Sequence, residues 1–479
     1  MTRSAADLDR FFAPRSVAVI GASGQPGKPG HTVVRNILAN GFGGALHLVN
    51  PRGGAIEGRP VVPTIEALPD GIDQAIVTLP AAQTPDTVRA LGRKGVRAIV
   101  LAASGFAEVD RTGAQLQAEL GRAIREAGAR VIGPNTTGHV SVPAGFTSSF
   151  FPLGRVRGGP ISYVAQTGNF CGISLRHILS AEHFGIARSV GLGNKVDVDE
   201  SDLLEYLGED AATGAVFLYV ENLADPRRFL RVARAVSRRK PVILLKGGAS
   251  EAGAAAALAH TGALAGDGRV ADGALAQAGV TRVYRYSDLF LVARALAVMP
   301  LPRGNRVAFL SPSGAFTVVL TDLCRSLGLE VPPLEERTRA RLQAMAPSFI
   351  RMRNPVDIFG SVGLHGYERA YGDALDAVLG DRHVDAAVVI MMLTAETGVP
   401  SYDFLVETAR RNQEKPVYVT FMGAHELDVA ARAWLEPRGV PCYMRVEEPF
   451  EVLSVLVRCR AIMEGGPLPP RAACRGGRR

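Results

Sequence analysis

SVAVIGASGQPGKPGHTVVRNIL, residues Ser16 to Leu38, begins as an apolar run that suits a buried strand, breaks at Gly21, Gly24 and Gly27, and resumes with the periodicity of a helix. A strand that turns through glycines into a helix is how parallel α/β sheets open. Backbone amides without side chains can there approach an anion at the helix N-terminus, and Lys28 adds a positive charge. Outward from this stretch the alternation continues. Apolar runs end at LHLVNP (Leu46 to Pro51), AIVTLP (Ala75 to Pro80), AIVLAASGF (Ala98 to Phe106) and RVIGPNTTG (Arg130 to Gly138), separated by helix-length amphipathic segments. Residues 8–150 are therefore expected to form a Rossmann-like domain.

The glycine turn alone does not choose a ligand, because NAD, FAD, CoA and sugar nucleotides are all held this way. The second strand ends in Val49-Asn50-Pro51, where dinucleotide sites carry an Asp or Glu for the ribose. That weighs against NAD, and an NAD-dependent oxidoreductase stands as one alternative for this domain.

Two further blocks look like an internal duplication. GPISYVAQTGNFCGISLRHI (Gly159 to Ile178) has the plan of NRVAFLSPSGAFTVVLTDLC (Asn305 to Cys324): strand, polar residue, Thr or Ser, Gly, helix. KPVILLKGG (Lys240 to Gly248) answers KPVYVTFMG (Lys415 to Gly423), and GVTRVYRYSDLFLVARAL (Gly279 to Leu296) answers GVPCYMRVEEPFEVLSVL (Gly439 to Leu456). Both copies, over residues 155–298 and 303–465, are expected to be flavodoxin-like, with a first-turn glycine opening a helix that can hold an anion. AVMPLPRGN (Ala297 to Asn305) reads as the linker between them.

AHTGALAG, Ala259 to Gly266, places one histidine among small side chains, which makes a loop that is cheap to move. Histidine accepts a proton, a metal or a phosphoryl group near neutral pH. Upstream, strand-like GAVFLYVEN ends in Glu221, a carboxylate at the strand edge where open α/β sheets bind ligands. Such a carboxylate can fix one ring nitrogen so that the other attacks. Taken alone, His260 could equally be a surface-loop residue without a role.

Composition bounds the function. The 479 residues exceed one core and suit about three domains. No apolar run reaches membrane-spanning length, and Asp7 and Asp9 stand where a signal peptide would be basic and then apolar, so a cytoplasmic location is expected. Cys171, Cys324, Cys442, Cys459 and Cys474 form no CxxC pair, which argues against a disulfide framework or a zinc cluster. The formal charge of +8 includes Arg471, Arg475, Arg478 and Arg479 in a basic tail, residues 466–479, expected to be disordered. Without a clustered basic face interleaved with aromatics, no nucleic-acid partner is expected.

With these motifs in view, residues 8–465 resemble the alpha subunit of the NDP-forming acyl-CoA synthetases, the family of ADP-forming acetyl-CoA synthetase and, more distantly, succinyl-CoA synthetase. VIGAS with PGKPG, VNP, LAASGF, IGPN, AQTG, VGLGNKVDVDESDLLEYL (Val190 to Leu207), YVEN, KGG, AHTGALAG and NPVDIFG (Asn354 to Gly360) carry the likeness by their order and spacing. The resemblance implies a CoA-binding first domain, with Gly21, Ser23, Gly24, Lys28, Asn50, Pro51, Ser104 and Phe106 at the CoA site. It implies a phosphorylated His260 oriented by Glu221, with Asn135, Gln166, Thr167, Gly168, Gly193 and Asn194 around phosphate and acyl group.

The implied reaction interconverts acyl-CoA, phosphate and ADP with carboxylate, CoA and ATP through an acyl phosphate and a phosphohistidine. ATP or ADP with Mg²⁺ would bind a separate ATP-grasp beta-type subunit, making a hetero-oligomer, since no nucleotide loop is found in this chain. No metal site within this chain is implied. Thr136, Asn169 and Phe170 depart from the residues the family often has near the acyl phosphate, which leaves the identity of the acid open between acetate and another, larger one. A CoA-binding regulatory or scaffold subunit without catalysis is the alternative from another class; a binding module needs neither His260 nor Glu221.

Overall fold

A computed structural model describes residues 8–253, 255, 268–394 and 401–467. The chain divides into two compact units, Met1–Arg285 and Tyr286–Arg479. In the first unit, β1 (Ser16–Ile20), β2 (Ala45–Val49), β3 (Ala55–Ile56), β4 (Arg59–Val62), β5 (Gln74–Val77), β6 (Ala98–Leu101) and β7 (Arg130–Ile132) form one sheet in the order β3-β4-β2-β1-β5-β6-β7. Apart from the antiparallel β3–β4 hairpin, the pairs are parallel. Without β3 the order is 3-2-1-4-5-6, that of a Rossmann sheet, which reverses direction between β1 and β5. The helix Pro29–Ala39 follows the glycine turn, with proline in its first turn and Val33, Val34 and Ile37 buried toward the sheet. It lies so close to the turn that a Cβ on Gly30 would fall 2.1 Å from the Gly21 carbonyl oxygen.

The second sheet contains β8 (His139–Ser141), β9 (Phe146–Thr147), β10 (Gly158–Ala165), β11 (Ile186–Gly191), β12 (Ala215–Val220), β13 (Val242–Lys246) and β14 (Thr281–Val283). Their order is β14-β13-β12-β10-β11-β8-β9. Its parallel part, β10 to β14, has the flavodoxin order 2-1-3-4-5 and reverses between β10 and β12. β8 joins β11 antiparallel, so residues before the expected boundary at 150 extend this sheet rather than the first. Burial explains the fusion: Ala98, Val100 and Ile132 of the first sheet share a core with Val164, Val190 and Val216 of the second and with Phe11 and Phe12.

The second unit has β15 (Val307–Ser311), β16 (Val356–Asp357), β17 (Ala386–Met391), β18 (Val417–Phe421) and β19 (Cys442–Tyr443), in the order β16-β15-β17-β18-β19. All pairs are parallel and the order is again 2-1-3-4-5. The duplication has a physical counterpart in its paired lysines. Lys240 Nζ donates to the carbonyls of Leu207 and Asp210, and Lys415 Nζ to those of Leu379 and Asp381. Each lysine thus satisfies the exposed carbonyls at a helix C-terminus, and burial lowers the pKa of both. The helix Asp288–Leu296, read from sequence as the end of the middle block, packs against Glu448–Glu464 in this unit. Among the described residues no helix is long and apolar enough to cross a membrane.

Candidate functional site

The carboxyl ends of β10 and β12 flank the point where the second sheet reverses, and they carry Gln166 and Glu221. The Gln166 carboxamide lies across this crevice. Its Oε1 accepts from the amides of Glu221 (3.0 Å) and Asn222 (3.1 Å), while its Nε2 donates to Asn222 Oδ1 at 2.6 Å. Gln166 is thereby a clamp on the turn that presents Glu221. The Glu221 residue is 7% exposed, and Tyr219 Oη donates to its Oε1 at 3.2 Å. Lys246, at the end of β13, donates to the carbonyl of Glu221 at 2.5 Å and to that of Gly247. Burial, together with nearby Arg282 and Lys195, lowers the Lys246 pKa against the opposing pull of Glu221.

The chain leading toward His260 leaves the sheet beside Glu221. A Cβ built on Gly247 would lie 2.9 Å from Tyr219 Oη and 3.2 Å from Glu221 Cγ. His260 itself lies outside the described residues.

Gly193 and Asn194, after β11, meet Asn135, after β7. Gly193 has φ +61°, and a Cβ there would fall 2.1 Å from the Pro134 carbonyl oxygen. The Asn194 amide donates to that same oxygen at 2.9 Å, and Asn135 Nδ2 donates to Asn194 Oδ1 at 3.3 Å. Asn194 Nδ2 in turn donates to Glu108 Oε2 (2.6 Å) and Gln117 Oε1 (2.9 Å). Burial raises the Glu108 pKa, but hydrogen bonds from Asn194 and from the amides of Gly105 and Phe106 outweigh it and hold the carboxyl below its ordinary value.

Thr167 and Gly168 differ from the expected helix start. Gly168–Cys171 is a short 3₁₀ turn whose Thr167 Oγ1 accepts from the Asn169 amide at 3.4 Å, and the α-helix begins only at Ile173. The packing reason is local: Thr137 Oγ1 donates to the Gly168 carbonyl at 2.7 Å, and the Phe151 ring stands against Gly172. Of the three departures noted in sequence, two belong to the interior. Thr136 is buried with its hydroxyl on the Gly191 carbonyl, and Phe170 is buried and stacked on Tyr163 at 4.8 Å. Asn169 alone is exposed.

At the first sheet, Gly21, Ser23, Gly24, Lys28, Asn50 and Pro51 gather at the carboxyl ends of β1 and β2. Asn50 Nδ2 donates to the Ala22 carbonyl at 2.8 Å and so ties the second strand to the glycine turn. Thr78, missed in sequence, holds the other side: its hydroxyl lies 3.1 Å from the carbonyls of Ile20 and Gly21. Gly24 and Lys28 are exposed on this turn, as is Ser104 beyond β6. Phe106 is a correction. Its side chain is fully buried in the first sheet's core and its amide is bound to Glu108, so neither faces a ligand.

Lys195, Glu200 and Asn222 were also missed, although all three lie within quoted motifs. Lys195 Nζ donates to Glu200 Oε2 at 2.9 Å, and both side chains are almost wholly buried. Charged residues in such a run read as a solvated face, and only the tertiary pairing distinguishes them. Among the described residues no group of three or more His, Cys, Asp or Glu is arranged to hold a metal ion.

A Rossmann crevice joined to a flavodoxin-type crevice, with a carboxylate at the switch point of the latter, defines a CoA-binding and succinyl-CoA-ligase-like pairing of domains. Residues 15–141 match the CoA binding domain family and residues 158–296 the succinyl-CoA ligase like flavodoxin domain family. The alpha subunit of acetate–CoA ligase (ADP-forming) I of Pyrococcus furiosus is 36% identical over 462 residues, covering 94% of this chain and 97% of that one. Acetate–CoA ligase (ADP-forming) II of Archaeoglobus fulgidus is 34% identical and is a longer chain, of which 67% is covered. The solved structure of a dinucleotide-forming acetyl-coenzyme A synthetase 1 from Ca. Korarchaeum cryptofilum, in complex with phosphate and ADP, superposes with a TM-score of 0.88 at 31% identity, covering 96% of this chain and 98% of that one. The chain belongs to the family of ADP-forming acetate–CoA ligases, which are acid–thiol ligases. The oxidoreductase alternative for the first domain falls with these matches.

Proposed function

We propose that this chain is the alpha-type subunit of an ADP-forming acyl-CoA synthetase that carries phosphate on His260 beside Glu221. The observation that carries the reading is the clamp at the sheet's switch point: Gln166 and Tyr219 fix Glu221 where the chain toward His260 departs. In the first step a phosphate oxygen attacks the thioester carbonyl, the C–S bond breaks, and the thiolate takes a proton to leave as CoA. His260 then attacks phosphorus, the P–O bond to the acyl group breaks, and a carboxylate departs. Glu221 accepts a hydrogen bond from the other ring nitrogen and supports the positive charge that develops on the ring. Transfer to ADP restores the histidine.

CoA is assigned to the glycine turn, Lys28, Asn50, Pro51 and Ser104. The exposed Lys28 ammonium, at the N-cap of Pro29–Ala39 where the helix dipole is positive, suits a diphosphate. The nucleotide and its Mg²⁺ are assigned to an ATP-grasp partner subunit in a cytoplasmic hetero-oligomer. The name of the Pyrococcus relative as an alpha subunit, and the third of the Archaeoglobus chain without counterpart here, support that division. Incubation with acetyl-CoA and labelled inorganic phosphate tests the reading. Acid-labile, base-stable label in the wild type and none in His260→Asn is expected; label persisting in His260→Asn would overturn the carrier assignment.

A further inference from the structure

The turn from Glu221 to Ala224 is irregular, so its backbone groups need partners from elsewhere. Apart from Lys246 on the Glu221 carbonyl, they come from one cluster. Gln166 Oε1 takes the amides of Glu221 and Asn222, and Glu200 Oε1 takes that of Ala224 at 2.6 Å. Lys195 Nζ donates to the Asn222 carbonyl (2.9 Å), Asn222 Oδ1 (3.0 Å), Gln166 Oε1 (3.2 Å) and Glu200 Oε2 (2.9 Å). The ammonium therefore bridges Gln166, Glu200 and Asn222, while Lys246 separately holds the Glu221 carbonyl.

Two features set this lysine apart from an ordinary buried ion pair. Its backbone is left-handed, with φ +56°, a conformation that costs a lysine free energy and persists where the surroundings impose it. It also follows Asn194, whose side chain is bound to Glu108 beside the Gly105–Phe106 turn. A buried ion pair adds little net stability over an apolar substitute of similar shape, so its value here is geometric.

We propose that Lys195 is a positioning residue for phosphoryl transfer: its ammonium, anchored on Glu200, holds Asn222 and Gln166 so that Glu221 keeps one orientation toward the histidine. Lys195 contacts no substrate in this scheme, which rests on the function proposed above.

A double-mutant cycle tests it on the full chain, using acetyl-CoA and labelled inorganic phosphate in single turnovers. Lys195→Met keeps the length of the side chain without the charge. We expect it to slow phosphoenzyme formation about 100-fold while the half-saturating acetyl-CoA concentration moves less than about threefold. In a Glu221→Gln background the same change should cost under about threefold more, because the residue it acts through is already disabled. Losses that multiply in that background, or an unchanged rate in Lys195→Met, would overturn the positioning role while leaving the phosphohistidine reading intact. A wild type that takes no label overturns both. Should Lys195→Met not fold, Asn222→Ala removes the acceptor at a half-buried position and completes the same cycle, with about tenfold slowing expected alone and multiplicative loss again refuting.

Discussion

Replacing Gly193 by alanine tests whether the loop geometry around Asn194 and Lys195 is required. The new Cβ would stand 2.1 Å from the Pro134 oxygen and 2.7 Å from that of Asn135, so the β7 and β11 loops must part by about 1 Å to reach tolerable contact. Holding alanine at φ +61° costs about 1 kcal/mol, overpacking adds about 1–3 kcal/mol, and the Asn194-to-Pro134 backbone bond is stretched. The sum is roughly 2–4 kcal/mol, which for a unit of this size lowers the melting temperature by roughly 3–7 °C. Differential scanning fluorimetry reads this directly. Gly24→Ala is the control: its Cβ would meet nothing nearer than 3.8 Å, and its melting point should stay within about 1 °C of wild type. Gly193→Ala melting with the wild type would refute the steric argument.

Glu221→Gln should keep the fold and the Gln166 clamp yet slow phosphoenzyme formation by about 1,000-fold, since charge support for the ring is lost; quench-flow loss under tenfold would make Glu221 a structural strand-end residue. Lys28→Ala should weaken CoA binding roughly five- to thirty-fold by calorimetry, and unchanged affinity would remove Lys28 from the site. His139 is wholly buried, with Nε2 donating to the Phe11 carbonyl (2.6 Å) and Nδ1 accepting from Ser148 Oγ (2.7 Å). Burial above all, with Arg188 adding, pushes its pKa from 6.5 down to about 4. The unfolded chain binds this proton first, so stability present above pH 6.5 falls as pH drops toward 4, by roughly 3 kcal/mol in total. Urea titrations should find that His139→Asn, though weaker at pH 7, loses this increment of pH dependence; parallel curves for both proteins would refute the assignment.

Local sequence was enough to determine the α/β class, the Rossmann opening at Ser16–Leu38, the duplicated block and the strand-end positions of Gln166 and Glu221. Those features depend on periodicity, glycine placement and strand ends, which act over a few residues. The paired KPV lysines were legible as a repeat because each copy does the same local task of closing a helix end. Tertiary structure decided the rest. His139–Ser141 was free to end the first domain until β11 offered it an antiparallel partner, and Phe106 stood with the CoA-site residues until the first sheet's core enclosed it. Thr136 and Phe170 looked like substrate-facing departures, yet a carbonyl from β11 and the ring of Tyr163 take them up. Lys195 and Glu200 stand in one motif and Asn222 in another, and no local rule brings the three together. They meet because β11 and β12 flank β10 on either side, so the turns beyond their carboxyl ends, freed from the sheet, must find hydrogen-bond partners in chain distant in sequence.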